Sequence, residues 1–165
     1  MAKQHSFAPL AEKYPEASIL SFDDYSIDAL SSAPSFDYFK EEPISAIQQY
    51  DLTLLMNDFN QFYRKVPYLL IDFPFGKCHE TLNPFIDWAV YLKTPFDLAF
   101  ARQIQRDYQH ETEAKIILDW CHTYDTFVQP LVVLHEAVVC PSVDQVINGE
   151  ISLIEKMQQI QRFFN

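Results

Sequence analysis

The sequence predicts an α/β fold built on a parallel β-sheet with helices on both faces. Compact apolar segments at 17–22 ("ASILSF"), 66–73 ("VPYLLIDF") and 87–92 ("DWAVYL") run continuously instead of alternating, which is how strands buried on both faces read. Segments of helical period separate them, and that alternation is the mark of parallel crossover units. At 165 residues, 48% hydrophobic and 15% aromatic, the chain is long enough to bury a core as a single domain, 1–165.

Taken in order, residues 1–14 read as a helix ending before Pro15, and 17–22 as a strand that delivers Asp23 and Asp24 into a turn. Residues 26–42, rich in Ser, Asp and Pro, read as irregular chain with short helical turns. Pro43 suits a first helical turn, and Ile44, Ile47, Leu54, Leu55 and Phe59 carry helix to about Phe62 as one broken or two consecutive pieces. The strand at 66–73 closes on Asp72 and Pro74. After the strand at 87–92, Thr94 is placed as an N-cap, Pro95 in the first turn and Asp97 in a capping-box-like position. Phe96, Phe100, Ile104 and Tyr108 then recur every four residues as the apolar stripe, with Arg102 and Arg106 on another face. A helix over 111–128, with Ile116, Ile117, Trp120, Tyr124 and Phe127 inward, is interrupted at Pro130 and resumes over 131–138. A short strand at 144–149 ends in Asn148-Gly149, and Ser152 with Glu155 opens a terminal helix.

The charge balance restricts partners. Twelve basic against 23 acidic residues give a net charge of -11, which opposes long-range attraction to a nucleic-acid backbone. No apolar run approaches the roughly 18 residues of a membrane span, and residues 1–18 lack a secretory apolar core, so a cytoplasmic location is expected. Cys78, Cys121 and Cys140 have no metal-ligand spacing and read as reduced packing residues. Three His-Glu pairs occur without forming H-E-x-x-H, and no G-x-S-x-G elbow is present. By spacing alone, Arg102 and Arg106 fit either a solvated helix face or a grip on an anion, and "FDDYS" at 22–26 fits either a turn or a site.

Four segments in fixed order bear on that choice: "SFDDY" at 21–25, "LLIDFPFGKCHE" at 69–80, "IDWAVYLKTPFDLAFARQIQRD" at 86–107 and "DQVINGEIS" at 144–152. Together they resemble the P-loop nucleoside and nucleotide kinases, most closely the small uridine-kinase-like ATP-binding proteins of bacteria. The resemblance implies a three-layer sandwich with a helical lid at about 95–140, ATP and Mg2+ as cofactors, and phosphoryl transfer to a small nucleoside-like or other hydroxyl substrate. It assigns Asp23 as the base that takes the acceptor proton, with Asp24, Tyr25, Lys77 and His79 on the substrate side. Asp72 would orient Mg2+, through water. Arg102 and Arg106 would close over the transferring phosphates, where fixed cations stabilise developing charge. Asn148 and Gly149 would lie near the adenine. Gln103 stands where the family's lid motif has a second adjacent arginine.

The chain has two glycines, Gly76 and Gly149, and no G-x-x-x-x-G-K-[ST] segment, so the loop that cradles phosphates in this family is not among its 165 residues. Residues 1–25 align with the end of the helix after that loop and the second strand. This leads to the expectation of a fragment or an inactive form, with weak or absent catalysis. The alternative is a non-catalytic nucleotide-binding or protein-interaction domain derived from a kinase. In the family's strand order, 2-3-1-4-5, the first strand is central. Its absence predicts either direct pairing of 67–72 with 88–92 or self-association through exposed strand edges.

Overall fold

The structure, a computed structural model, describes residues 12–163. It is a mixed α/β protein with short parallel sheets, and the chain divides into two compact units, the first ending at Asp87 and the second starting at Trp88.

The first unit is built on strands β1 (Ala17–Ser21) and β2 (Tyr68–Asp72), paired parallel in the register Ala17↔Tyr68 to Ser21↔Asp72. Between them run helices α1 (Phe36–Glu41), α2 (Pro43–Gln48) and α3 (Thr53–Phe62), the crossover that a parallel pair requires. Ser35 caps α1 by accepting the Tyr38 N–H, and Pro43 begins α2, where a missing N–H costs nothing. The two-helix version of 43–62 is the one observed. At the break, the Asp51 carboxylate accepts both the N–H and the hydroxyl of Thr53, tying the start of α3. Ile27, Ile47, Leu55 and Leu82 are fully buried, and α3 lies against β1. Beside them Phe22, Tyr50, Phe73 and Phe75 form one aromatic cluster with edge-to-face and stacked pairs, their centroids 4.7 to 5.9 Å apart. Such pairs add about 0.5–1.5 kcal/mol each beyond the area they bury.

The second unit holds β3 (Val90–Lys93) and β4 (Gln145–Asn148), again parallel, in the register Val90↔Gln145 to Lys93↔Asn148. Helices α4 (Phe96–Asp107), α5 (Ala114–Thr123) and α6 (Gln129–Val139) separate the strands, and α7 (Leu153–Ile160) follows. A full capping box opens α7, with the Ser152 side chain on the Glu155 N–H and the Glu155 carboxylate on the Ser152 N–H. Between α5 and α6 the helix widens into a π segment at Tyr124–Val128. Pro130 gives the physical reason: it has no N–H to donate, and its ring would crowd the Thr126 carbonyl in α geometry. Helical backbone therefore continues through Gln129, where a stop had been expected.

Several sequence expectations need correction. The four strands form two two-stranded ladders, not one continuous sheet. β2 takes its ladder from β1 and β3 from β4, so of the two outcomes expected the first, direct pairing of 67–72 with 88–92, is absent among the described residues. The third strand starts at Val90 instead of 87, because the Asp144 carboxylate takes the Ala89 N–H at 2.7 Å and the Ala89 carbonyl accepts from Asp144 and Gln145. Helix α4 starts at Phe96 with Pro95 in the N-cap position and no side-chain cap. Its stripe of Phe96, Phe100, Ile104 and Tyr108 is half-buried while Arg102 and Arg106 are exposed, so the faces are as expected. Ile116, expected inward, is exposed. Of the helix expected over 1–14, residues 12 and 13 are helical, Tyr14 is not, and residues 1–11 lie outside the described residues.

Candidate functional site

In the first unit the candidate residues collect at the carboxyl end of the β1–β2 ladder, the edge at which open parallel sheets bind ligands. Parallel pairing forces this. Ser21 faces Asp72 across the ladder, so the turn after β1 and the end of β2 emerge side by side. Asp23 and Asp24 lie on a single 3-10 turn, Phe22–Tyr25, anchored by the buried Phe22 ring and ended by Ser26 in the left-handed region at φ 49°. Both aspartates are exposed, and Asp72 is half-buried.

Tyr25 donates its hydroxyl to Asp58 on α3 at 3.0 Å. Burial, the Asp58 acceptor and the Asp58 and Asp24 charges push the phenol up to about 12. The bond ties the Asp23–Asp24 turn to α3, a link 33 residues apart in sequence that no local motif announces.

After β2 the chain turns at Gly76, whose φ of 53° favours glycine, and the Cys78 N–H closes the turn on the Phe75 carbonyl at 2.9 Å. Lys77 is half-buried in this turn. Gln48 on α2 pins the segment by donating to the Cys78 carbonyl at 2.7 Å and accepting the Glu80 N–H at 2.9 Å. His79 is 3% exposed. Its Nδ1 accepts the Thr81 N–H at 3.3 Å, which leaves the proton on Nε2 to be donated to the Tyr50 carbonyl at 3.1 Å. Both ring nitrogens are thus bonded to backbone. Burial pushes the ring pKa below its ordinary 6.5, against smaller upward pulls from the Tyr50 carbonyl and the Glu80 charge. Beside it, a cleft of about 350 Å³ is bordered by Gln48, Asp51, Met56, Asn57 and Thr81.

In the second unit Arg102 and Arg106 lie one helical turn apart on the exposed face of α4. Arg106 donates from Nε and Nη2 to the two oxygens of Asp107 at 2.6 and 3.0 Å, and Gln103 also bonds Asp107. These bonds hold the Asp107 carboxyl below its usual range. Asn148 and Gly149 follow β4. The Asn148 side chain accepts the Glu150 N–H at 2.8 Å, and the Gly149 N–H extends the ladder to the Lys93 carbonyl at 2.6 Å. Lys156 donates to the Gly149 carbonyl at 2.7 Å, while Lys93 pairs with Glu136 at 2.7 Å.

The structure therefore groups Asp23, Asp24, Tyr25 and Asp72 around one ladder end, sets Lys77 and His79 on the following segment, and groups Asn148 and Gly149 at the end of the other ladder. Asp58, Gln48 and Asp107 were not singled out in the sequence. Only Asp107 had a local signal, its adjacency to Arg106. Comparison with known protein families, with curated proteins and with solved structures finds no match to this chain. Among the described residues no group of three or more His, Cys, Asp and Glu side chains is arranged to hold a metal ion, and no helix is long and apolar enough to cross a membrane.

Proposed function

We propose that this chain is a kinase-derived nucleotide-handling protein, related to the P-loop nucleoside and nucleotide kinases. The observation that carries the reading is the Ser21↔Asp72 register, which brings an acidic turn and an acidic strand end to one ladder edge. In such a kinase Asp23 accepts the proton of the acceptor hydroxyl as the phosphoryl group arrives, and Asp72 orients the Mg2+ of Mg-ATP. Lys77 supplies a cation on the substrate side. The pairings support the reading as well. A strand order of 2-3-1-4-5 requires the second strand to pair with the third and the fourth with the fifth, as β1 does with β2 and β3 with β4.

Within this reading the 165 residues bind nucleotide or nucleoside weakly and transfer phosphate slowly or not at all, since no glycine loop for phosphates is among them. The Arg106–Asp107 pair favours this non-catalytic form, because the lid cation is already neutralised by its neighbour. Calorimetric titration with Mg-ATP, Mg-ADP and a panel of nucleosides tests the reading, alongside a radiolabelled phosphotransfer assay. Saturable nucleotide binding that Asp72→Asn weakens is the expected result. No binding of any nucleotide or nucleoside at millimolar concentration would sink it. Fast turnover by residues 1–165 would remove the non-catalytic form. If the reading frame continues upstream into a strand and a G-x-x-x-x-G-K-[ST] loop, the extended protein should be an active kinase.

A further inference from the structure

We propose that His79 is an acid-sensitive latch that holds the segment 78–82 against the α2–α3 junction, and that its protonation releases this segment and widens the cleft beside it. The geometry is specific to one protonation state. As a neutral ring with its proton on Nε2, His79 gives a donor to the Tyr50 carbonyl and an acceptor to the Thr81 N–H. A second proton, on Nδ1, would set an N–H against the Thr81 N–H with no acceptor between them, at a site 3% exposed where the charge has little water to solvate it.

The segment is also held elsewhere, with Leu82 fully buried at its end. Gln48 grips it at Cys78 and Glu80, and the Leu82 and Asn83 N–H groups close on the His79 carbonyl itself at 3.2 and 2.9 Å. Tyr50, the acceptor of the latch, stacks on Phe75 at 4.7 Å, and Phe73 meets the His79 ring edge-on at 6.2 Å. Release therefore loosens the same aromatic cluster that supports the turn carrying Lys77. The groups facing the ring are Tyr50 from the α2–α3 junction, Asp51 across the cleft and Glu80 on the segment itself. The Glu80 charge and the Tyr50 carbonyl favour the protonated ring, and burial opposes it more strongly.

The sign follows from linkage. The ring pKa is lower in the folded state than the ordinary 6.5, so the unfolded or released form binds the extra proton more readily. The latch is closed above pH 6.5, and its contribution is lost as pH falls through the lower, folded-state pKa. The inference does not depend on the kinase reading, since it needs no nucleotide.

NMR on the whole chain tests it, following the His79 ring signals and amide exchange at Glu80, Thr81 and Leu82 as pH is lowered. His79 should titrate below 6.5, and the opening constant of these amides, corrected for intrinsic exchange chemistry, should rise by up to about tenfold per pH unit between pH 6.5 and that midpoint and level off below it. Glu80→Gln removes a charge that favours the protonated ring, so both midpoints should move together to lower pH. His79→Gln, if it folds, should abolish the pH dependence of opening. A His79 midpoint at or above 6.5 overturns the proposal. So does a corrected opening constant at 80–82 that ignores the His79 titration in the wild-type chain.

Discussion

Arg106 and Asp107, adjacent in sequence on the last turn of α4, form a two-pronged ion pair with nitrogen–oxygen distances of 2.6 and 3.0 Å. The pair is exposed and contributes little to stability. Its consequence is for binding, because a phosphate approaching Arg106 must displace a carboxylate already matched to the guanidinium fork. Asp107→Ala should therefore strengthen binding of ATP or pyrophosphate, with a steeper salt dependence, while leaving thermal stability within about 0.5 kcal/mol. Titration calorimetry at two salt concentrations reads it. If Arg106 has no part in anion binding, Asp107→Ala and Arg106→Ala will both leave affinity unchanged.

Two phenols should titrate late. Burial first, then Asp58, raises Tyr25 to about 12, and burial with the nearby Cys140 and Glu136 raises Tyr91 to the same value. Both folded values lie above the ordinary 10.0, so their contribution to stability is complete below pH 10 and lost as pH rises toward 12. Phenolate absorbance should show tyrosines that ionise only with unfolding. Tyr25→Phe should remove one of them and cost about 1 kcal/mol, the usual scale for a hydrogen bond to a carboxylate at a part-exposed site. Full phenolate formation near pH 10 in the folded chain would contradict this.

Gly149 occupies a position that no other residue fits without movement. A Cβ there would meet Thr94 Oγ1 at 2.1 Å, the Lys93 carbonyl oxygen at 2.9 Å and the Thr94 Cα at 3.1 Å. The hydroxyl can rotate away, but the backbone atoms cannot, so β3 and the chain after β4 must separate. Gly149→Ala should destabilise the second unit by about 1–3 kcal/mol, the range for overpacking. Denaturant unfolding and amide exchange in β3 would register the loss, and unchanged protection there would refute the close approach.

Local chemistry was legible in the sequence wherever a short pattern decides the outcome. The Ser152–Glu155 capping box, the Pro43 helix start, the exposed face of Arg102 and Arg106 and the apolar runs of β1 and β2 all follow from residues within one or two turns. The misreadings came from distant partners. The start of β3 is set by Asp144, 55 residues from the Ala89 amide it accepts. Ile116 fits an inward helical stripe, but its neighbours do not close over it. In the candidate site, the acidic strand ends were visible as composition. The Tyr25–Asp58 bond, the Gln48 clamp and the double bonding of His79 were not, since each depends on which helix the crossover lays beside the ladder.

Strand edges bear on the behaviour of the whole chain. Among the described residues each ladder has two strands, so each strand has one edge with no strand partner there, and such edges template pairing with another chain. In the second unit the edge coincides with a thin core. Only Ala89, Val139 and Ile147 are buried among its described hydrophobic residues, whereas Leu92 on β3 and Val146 on β4 are 43% and 45% exposed. A short, apolar, half-exposed strand offers both backbone groups and side chains to a second copy, and the net charge of -11 opposes that approach mainly at low salt. Sedimentation velocity across a concentration series should show self-association that grows with salt. Leu92→Lys, which puts a charge on the exposed strand as natural edge strands do, should return the chain to monomer without lowering its melting temperature by more than a few degrees. A monomer at all concentrations and salts in the wild-type chain, with amides of β3 protected as well as those of β1, would show that these edges are closed.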